Sequence, residues 1–390
     1  MTAGAQPIAL DEYQSRLERA QARMRELAIG ALFIGAGSNL EYFTGVRWNP
    51  SERMVGAIIP AHGPLEYLAP AFEEGTILDF QVVKGPVRLW QEHESPYFLL
   101  LQRLQALNVP GNLRTPDRVG ICSSLPFFMY DAIRQLAIGY EFVDAGLVTG
   151  YCRQRKSAAE IALMQQAKNM TLEVHKAAAS ILREGITTTE VSEFIQQAHR
   201  AVGASGSYFC IVLFGAASAF PHGVKHVQTL KRGDMVLIDT GCRLHGYLSD
   251  ITRSYVFGEP SEHQRAFWNM EKDAQLAAFD AARLGARCEE VDEAARASLE
   301  ASGLGPGYQL PGLPHRTGHG IGLDIHEGPY LVRGDETPLD IGMCLSNEPM
   351  ICVPGEFGIR LEDHFYMSER GARWFTEPSR SIDDPFGLNA

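Results

Sequence analysis

Asp239, Asp250, Glu348 and Glu362 stand in apolar surroundings, where a carboxylate needs a reason to be. Asp239 closes the run Met235-Val-Leu-Ile, and Asp250 lies in Tyr247-Leu-Ser-Asp-Ile-Thr-Arg253, with Gly241 and Gly246 between them. Aspartate is a poor strand former, and a buried carboxylate without a partner or cation costs on the order of several kcal/mol. Two of them in strands this apolar predict a hairpin that carries both to one face as ligands. Glu348, in Met343-Cys-Leu-Ser-Asn-Glu-Pro-Met-Ile351, and Glu362, in Gly358-Ile-Arg-Leu-Glu-Asp-His-Phe365, repeat the arrangement around the turn Val353-Pro-Gly-Glu-Phe-Gly358.

The histidine-bearing segment is His315-Arg-Thr-Gly-His319-Gly-Ile-Gly-Leu-Asp-Ile-His326-Glu327. Its first two histidines have the spacing of a helical HExxH zinc site, but no glutamate follows His315, and Gly318, Gly320 and Gly322 would break a helix. The glycines point instead to backbone packed closely against a site. His319 is then a metal ligand, while His315 and His326 are free for proton transfer or substrate contact. His222, in Ala219-Phe-Pro-His-Gly223, is a further candidate from a loop. Four carboxylates and one imidazole form a hard donor set suited to a pair of divalent ions, Mn²⁺, Co²⁺, Fe²⁺ or Zn²⁺, rather than one structural zinc. Carboxylates can bridge two ions roughly 3.5–4 Å apart, and a shared water becomes hydroxide near neutral pH.

These residues need a frame. A chain of 390 residues predicts two domains. Residues 1–150 alternate helix and strand signals. Leu10, Tyr13, Leu17, Ala20, Met24 and Leu27 mark an amphipathic helix, Ala31-Leu-Phe-Ile34 a buried strand, and Ala61-His-Gly63 a hairpin turn. This opening domain is mixed α/β. The basic stretch Arg153, Arg155 and Lys156 lies in the segment Tyr151–Lys156, read as a solvated linker. Residues 151–390 begin with helical patterns over Ser157–Arg183 and Thr188–Val202, the second capped by Thr188 or Thr189. Strand patterns follow at Phe209–Phe214, Met235–Asp239, Tyr247–Phe257, Met343–Ile351 and Gly358–Met367, interrupted by one helical stretch over Glu262–Ala301. Helices grouped apart from paired strands predict an α+β domain around a curved antiparallel sheet.

The net charge of −12 argues against nucleic acid as a partner. No run approaches the length of a membrane span, and Met1–Pro7 lacks the basic and apolar parts of a signal peptide. Seven scattered cysteines without a CxxC fit a reducing compartment, so the expectation is a cytoplasmic protein.

Taken together, Pro221-His-Gly223, Ile238-Asp-Thr-Gly241, Gly246-Tyr-Leu-Ser-Asp-Ile-Thr-Arg253, Gly318-His-Gly-Ile-Gly322, His326-Glu327, Asn347-Glu-Pro349 and Ile359-Arg-Leu-Glu-Asp363 resemble the creatinase/aminopeptidase metallopeptidases of pita-bread fold. Within them the likeness is to the Xaa-Pro dipeptidases, or prolidases, and the first half, with Ser38-Asn-Leu-Glu-Tyr-Phe-Thr-Gly45, resembles their N-terminal domain. The resemblance implies that Asp250, His319, Glu348 and Glu362 hold one ion, that Asp239 chelates the other, and that Asp250 and Glu362 bridge, with Mn²⁺ the first expectation. It implies attack of a metal-activated hydroxide on the bond before proline, with Glu348 taking and returning the proton. His222, His315 and His326 resemble the histidines that meet substrate, and Arg360 an arginine that holds the site near the second glutamate. The expected partners are proline-containing dipeptides or short peptides and a second copy of the chain, with the N-terminal domain serving dimerisation and substrate access.

Proline itself suits this chemistry, because an X–Pro bond has no N–H for ordinary peptidases to grip. The sequence departs from several prolidases in two places. Tyr330 stands where an arginine thought to meet the substrate carboxylate would be, and Val224-Lys-His226 lacks a Pro-Thr-Asp pattern. Xaa-Pro aminopeptidases of longer peptides share all the motifs. A methionine aminopeptidase would lack the first 150 residues, and a creatinase-like hydrolase would lack part of the ligand set. A lyase on the same site and a metal-free binding protein complete the alternatives.

Overall fold

The computed structural model describes residues 1–387. The chain divides into two compact units, one of Ile8–Arg153 and one of Met1–Pro7 with the chain from Gln154 onward. The first seven residues, counted with the opening domain by sequence, thus belong to the second unit, where the Met1 ammonium donates to the Val202 carbonyl at 2.8 Å.

In the smaller unit, strands β1 (Ala31–Gly35), β2 (Gly56–Pro60), β3 (Glu66–Pro70), β4 (Val87–Trp90), β5 (Asp117–Ile121) and β6 (Tyr140–Asp144) form one mixed sheet in the order β4-β3-β2-β1-β5-β6. The β2–β3 hairpin falls at Ala61-His-Gly63 as its turn residues predict, and β1, buried throughout, is the expected apolar strand. Phe33, Ile58, Leu68, Leu100, Leu104, Val119 and Ile133 form its core between sheet and helices.

The larger unit carries the α+β arrangement. Helices Ala158–Ser180 and Thr188–Ala201 each start at a capping box. The second cap is Thr187, not Thr188 or Thr189, because its hydroxyl meets the Glu190 N–H while the Glu190 carboxylate returns to the Thr187 N–H. The stretch Glu262–Ala301 is two helices, Glu262–Ala281 and Cys288–Ala301. They part where Gly285 adopts φ +83° and gives its N–H to the Leu339 carbonyl instead of to a helix.

Strands β7 (Ser207–Phe214), β8 (Met235–Leu244), β9 (Tyr247–Leu248) and β10 (Ile251–Val256) form one antiparallel group around β8. A second contains β11 (Gly318–Gly320), β12 (Glu327–Leu331), β13 (Cys344–Asn347), β16 (Asp363–Ser368) and β17 (Gly371–Trp374), and β14 (Met350–Val353) pairs with β15 (Phe357–Arg360). A bridge between Thr252 and Glu362 joins the groups. Three strands expected to be continuous are broken, Tyr247–Phe257 at Ser249-Asp250, Met343–Ile351 at Glu348-Pro349 and Gly358–Met367 at Leu361-Glu362. Pro349 has no N–H for a ladder, and each break leaves a carboxylate, Asp250, Glu348 or Glu362, outside the regular strands. The sheets change partner exactly where the acidic residues sit, so the interruptions themselves place the site.

The basic segment before Ser157 is not a solvated linker. Arg155 pairs with Asp340 at 2.7 Å, and Lys156 is buried against Glu327 with Nζ 2.5 Å from Oε1. Burial of an ammonium requires such a partner, and Glu327 supplies it from the residue after His326.

Candidate metal centre

Antiparallel register explains how the carboxylates converge. Asp239 on β8 faces Thr252 on β10, and Asp250 precedes Thr252 by two residues, so both aspartates share a face. Gly241 lies beside this pair because a Cβ there would sit 1.9 Å from the Ser249 carbonyl oxygen. On the other hairpin Met350 faces Arg360, which sets Glu348 and Glu362 two residues further out on opposing chains. The Glu362 N–H donates to the Thr252 carbonyl at 3.2 Å, and the Thr252 hydroxyl donates to Glu362 Oε2 at 2.5 Å. Those two bonds bring the acidic pairs together.

His319 is fixed from β11. Its N–H donates to Ser346 Oγ at 2.8 Å, and Nδ1 lies 3.0 Å from the Gly320 carbonyl. A carbonyl only accepts, so Nδ1 carries a hydrogen and Nε2 is the nitrogen turned toward the carboxylates. That nitrogen lies 3.0 Å from Glu348 Oε1 and 3.7 Å from Asp250 Oδ2. Gly318 permits the approach, since a Cβ would fall 2.1 Å from the Ser346 carbonyl oxygen.

All five residues expected as ligands line one cavity of about 170 Å³. Their electrostatics suit a cation. Burial, then Glu362, Asp239 and Glu348, push Asp250 well above the usual carboxylate range, and burial with Glu348 and Asp239 does the same to Glu362. Burial would also raise Glu348, but the facing His319, His315 and Arg360 hold it below that range. Asp239 Oδ1, Asp250 Oδ1 and Glu362 Oε1 are buried without a hydrogen-bond partner. Orphaned buried acceptors crowded by like charge fit a donor set for positive ions. Arg360 meets part of the need, pairing its Nη2 with Asp239 Oδ2 and giving Nε–H to Thr252 Oγ1 at 3.0 Å.

Sequence reasoning missed His364. One of its ring nitrogens, with one donor atom each from Asp250, His319 and Glu362, forms a group all within 4.8 Å. It is fully buried, neither ring nitrogen has a hydrogen-bond partner, and burial, with Lys168 and His319 nearby, keeps it far below the usual histidine range. Strand alternation could have found it, because Glu362 and His364 are two apart on one face while Asp363 turns away to pair with Arg253 at 2.8 Å. Lys168, in mid-helix, was also missed. It is fully buried with Nζ unbonded, and burial lowers it to about 8 against the opposing pull of Asp250.

A larger cavity of about 510 Å³ shares His222, His319, His326, Glu348 and Arg360 with the smaller one and is lined also by Pro221, Pro314, His315 and Arg316. The three histidines expected to meet substrate are therefore together. His222 is exposed, His326 lies edge-on to His319 with centroids 4.2 Å apart, and His315 Nδ1 donates to the Arg316 carbonyl at 2.7 Å. Burial, then His319, lowers His326 to about 4. Tyr330, read as a substrate residue, lines neither cavity. Its ring lies beneath the Arg316 guanidinium at 4.2 Å.

A buried acidic and imidazole cluster at the meeting of two antiparallel hairpins defines a metallopeptidase of the pita-bread class. The model for metallopeptidase family M24 matches residues 162–369, and that for the creatinase/prolidase N-terminal domain matches residues 16–154. The chain belongs to metallopeptidase family M24, whose members use divalent metals. It is 33% identical over 372 residues to a probable dipeptidase PepE of Mycobacterium tuberculosis, covering 95% of this chain and 96% of that one. The crystal structure of dipeptidase PepE from Mycobacterium ulcerans superposes with a TM-score of 0.88 at 34% identity, covering 95% and 97% of the two chains. A prolidase from Pyrococcus furiosus gives 0.78 at 29% identity, covering 92% and 100%. Like these relatives the chain is a peptidase-type hydrolase. None of its helices is long and apolar enough to cross a membrane among the described residues.

Proposed function

We propose that this chain is a two-metal Xaa-Pro dipeptidase of the cytoplasm, working on Mn²⁺ as a homodimer. The observation that carries the reading is the convergence of Asp239, Asp250, His319, Glu348 and Glu362 on one cavity that shares residues with a histidine-lined pocket. The relatives named dipeptidase and prolidase support the substrate class. Asp239, Asp250, His319, Glu348 and Glu362 would hold the ions.

Bound ions would supply Lewis acidity and a water activated near neutral pH. The rest falls to the chain. Glu348, ionised and facing the pocket, takes a proton from the attacking water and delivers it to the proline nitrogen as the C–N bond breaks. That nitrogen has no hydrogen of its own, so it leaves as an amine only if one is delivered. His222, His315 and His326 line the space where the developing oxyanion must be met. Arg360 holds Asp239 in place and offsets its charge.

The decisive measurement is metal content together with proline release from Ala-Pro, with and without chelator. Cleavage should vanish on chelation and return with Mn²⁺; no chelator-sensitive cleavage of any X–Pro peptide would overturn the reading. Comparing Gly-Pro with Gly-Pro-Pro separates a dipeptidase from an Xaa-Pro aminopeptidase. A further expected outcome concerns His364: His364→Phe should fold normally yet weaken Mn²⁺ retention by about 10- to 100-fold. Calorimetric titration with Mn²⁺ reads this directly, and an unchanged affinity would remove His364 from the metal's surroundings.

A further inference from the structure

Arg316 has a setting that the mechanism leaves unused. It lines the 510 Å³ pocket together with Glu348 and His319, and it is half-buried. The other arginine of that pocket, Arg360, is committed to Asp239, and Glu348 is committed to His319. Among the described residues Arg316 makes no ion pair and its guanidinium makes no hydrogen bond; its partner is the face of Tyr330, 4.2 Å away. A protein of net charge −12 therefore holds one uncompensated cation inside its pocket.

The surroundings keep that cation in one place. On one side, the His315 carbonyl accepts from Arg296 Nη2 at 2.6 Å. On the other, the Thr317 N–H and hydroxyl both donate to Asp292 Oδ1, at 3.1 and 2.7 Å. Asp292 and Arg296 are themselves a buried pair at 2.9 Å, so the backbone around Arg316 is anchored to one helix. The Tyr330 backbone is held in turn by the Asp335 carboxylate at 2.8 Å. A guanidinium whose partner is a ring face keeps its N–H groups free of other acceptors, and such a group can take a carboxylate in two parallel bonds. A fixed receptor of this kind loses little freedom on binding.

We propose that Arg316, stacked on Tyr330, receives the free C-terminal carboxylate of the substrate, so that the pocket selects peptides ending one residue after the cut. This rests on the peptidase reading above and adds to it the length of the substrate and the residue that reads it. The charge thus comes from the segment leading into β11, and Tyr330 acts as its platform. Tyr330 is a positioning residue.

The test uses the full-length Mn²⁺-loaded enzyme with three substrates, Ala-Pro, Ala-Pro-amide and Ala-Pro-Gly. The wild type should favour Ala-Pro over its amide by roughly 10- to 100-fold in kcat/KM, the scale of a charge-assisted pair. In Arg316→Gln that ratio should fall to about one, through KM rather than kcat, and Arg316→Lys should restore part of it. Tyr330→Leu should lower the ratio as well, while Tyr330→Phe, which keeps the ring, should retain it. Equal losses on acid and amide, or a wild type indifferent to the terminal charge, would overturn the proposal while leaving the peptidase reading intact. If proline is not the preferred residue, Ala-Ala and its amide give the same ratio. If no peptide is cut at all, the activity reading fails and this inference falls with it.

Discussion

Glu348→Gln is expected to lower kcat on Ala-Pro by about 10²- to 10⁴-fold, the range that a positioned general base contributes, with KM changing far less. Glutamine keeps the shape of the side chain and one oxygen toward the centre. What it removes is the site that accepts and returns a proton. Glu348 is singled out among the four carboxylates by its electrostatics. Asp250 and Glu362 are pushed upward by burial and by one another, whereas His319, His315 and Arg360 overcome burial at Glu348 and keep it ionised. Its Oε1 accepts from Ser346 Oγ at 3.1 Å and faces His319 Nε2 at 3.0 Å, while the side chain remains 12% exposed to the pocket. It is thus aimed, charged and reachable. Metal content measured on the same preparation separates the two roles proposed for it. Loss of turnover with the ions retained is the expected result, and near-native turnover would end the proton-transfer assignment.

Much of this centre was legible because burial makes carboxylates conspicuous. Asp239 after four apolar residues and Glu348 between Asn347 and Pro349 conflict with local preference, and such conflicts collect at functional sites. The strand interruptions were harder to read. An apolar run with one acidic residue looks the same whether the ladder passes through it or changes partner there, and only the pairing of Asp239 with Thr252 and Met350 with Arg360 decides. His364 was hidden for a different reason. A histidine in an apolar strand is ordinarily a satisfied core residue, and its lack of partners appears only when β16 is set against β13. Lys156 misled through its neighbours: three basic residues in four look solvated, but Glu327, which buries one of them, lies 171 positions away. Arg316 and Tyr330 are near in sequence, yet only the fold sets one over the other, which turns an apparent departure at Tyr330 into the support of a pocket residue.

Asp250→Asn is expected to act in opposite directions on activity and stability. Turnover on Ala-Pro should be abolished, because a carboxylate proposed to hold the ions loses its charge. The metal-free protein, by contrast, should become more stable. Asp250 is fully buried, and beyond burial its main opponents are the negative charges of Glu362, Asp239 and Glu348. Its Oδ1 has no hydrogen-bond partner to compensate, and the attraction it does feel comes from Lys168, itself fully buried with Nζ unbonded. Neutralising one member of such a group relieves repulsion without opening a cavity, since asparagine has nearly the same volume. A gain on the order of 1 kcal/mol would raise Tm by roughly 2–4 °C, or less in a chain of this length. The two proteins should then diverge on adding Mn²⁺. Binding to the folded state alone raises the wild-type Tm with concentration, and the variant, lacking that carboxylate, should respond weakly or not at all. Calorimetric melts with and without Mn²⁺ read both effects in one experiment. A variant that melts below the metal-free wild type, or that gains as much from Mn²⁺, would show that the acidic cluster is a structural network and not a site strained in favour of its ions.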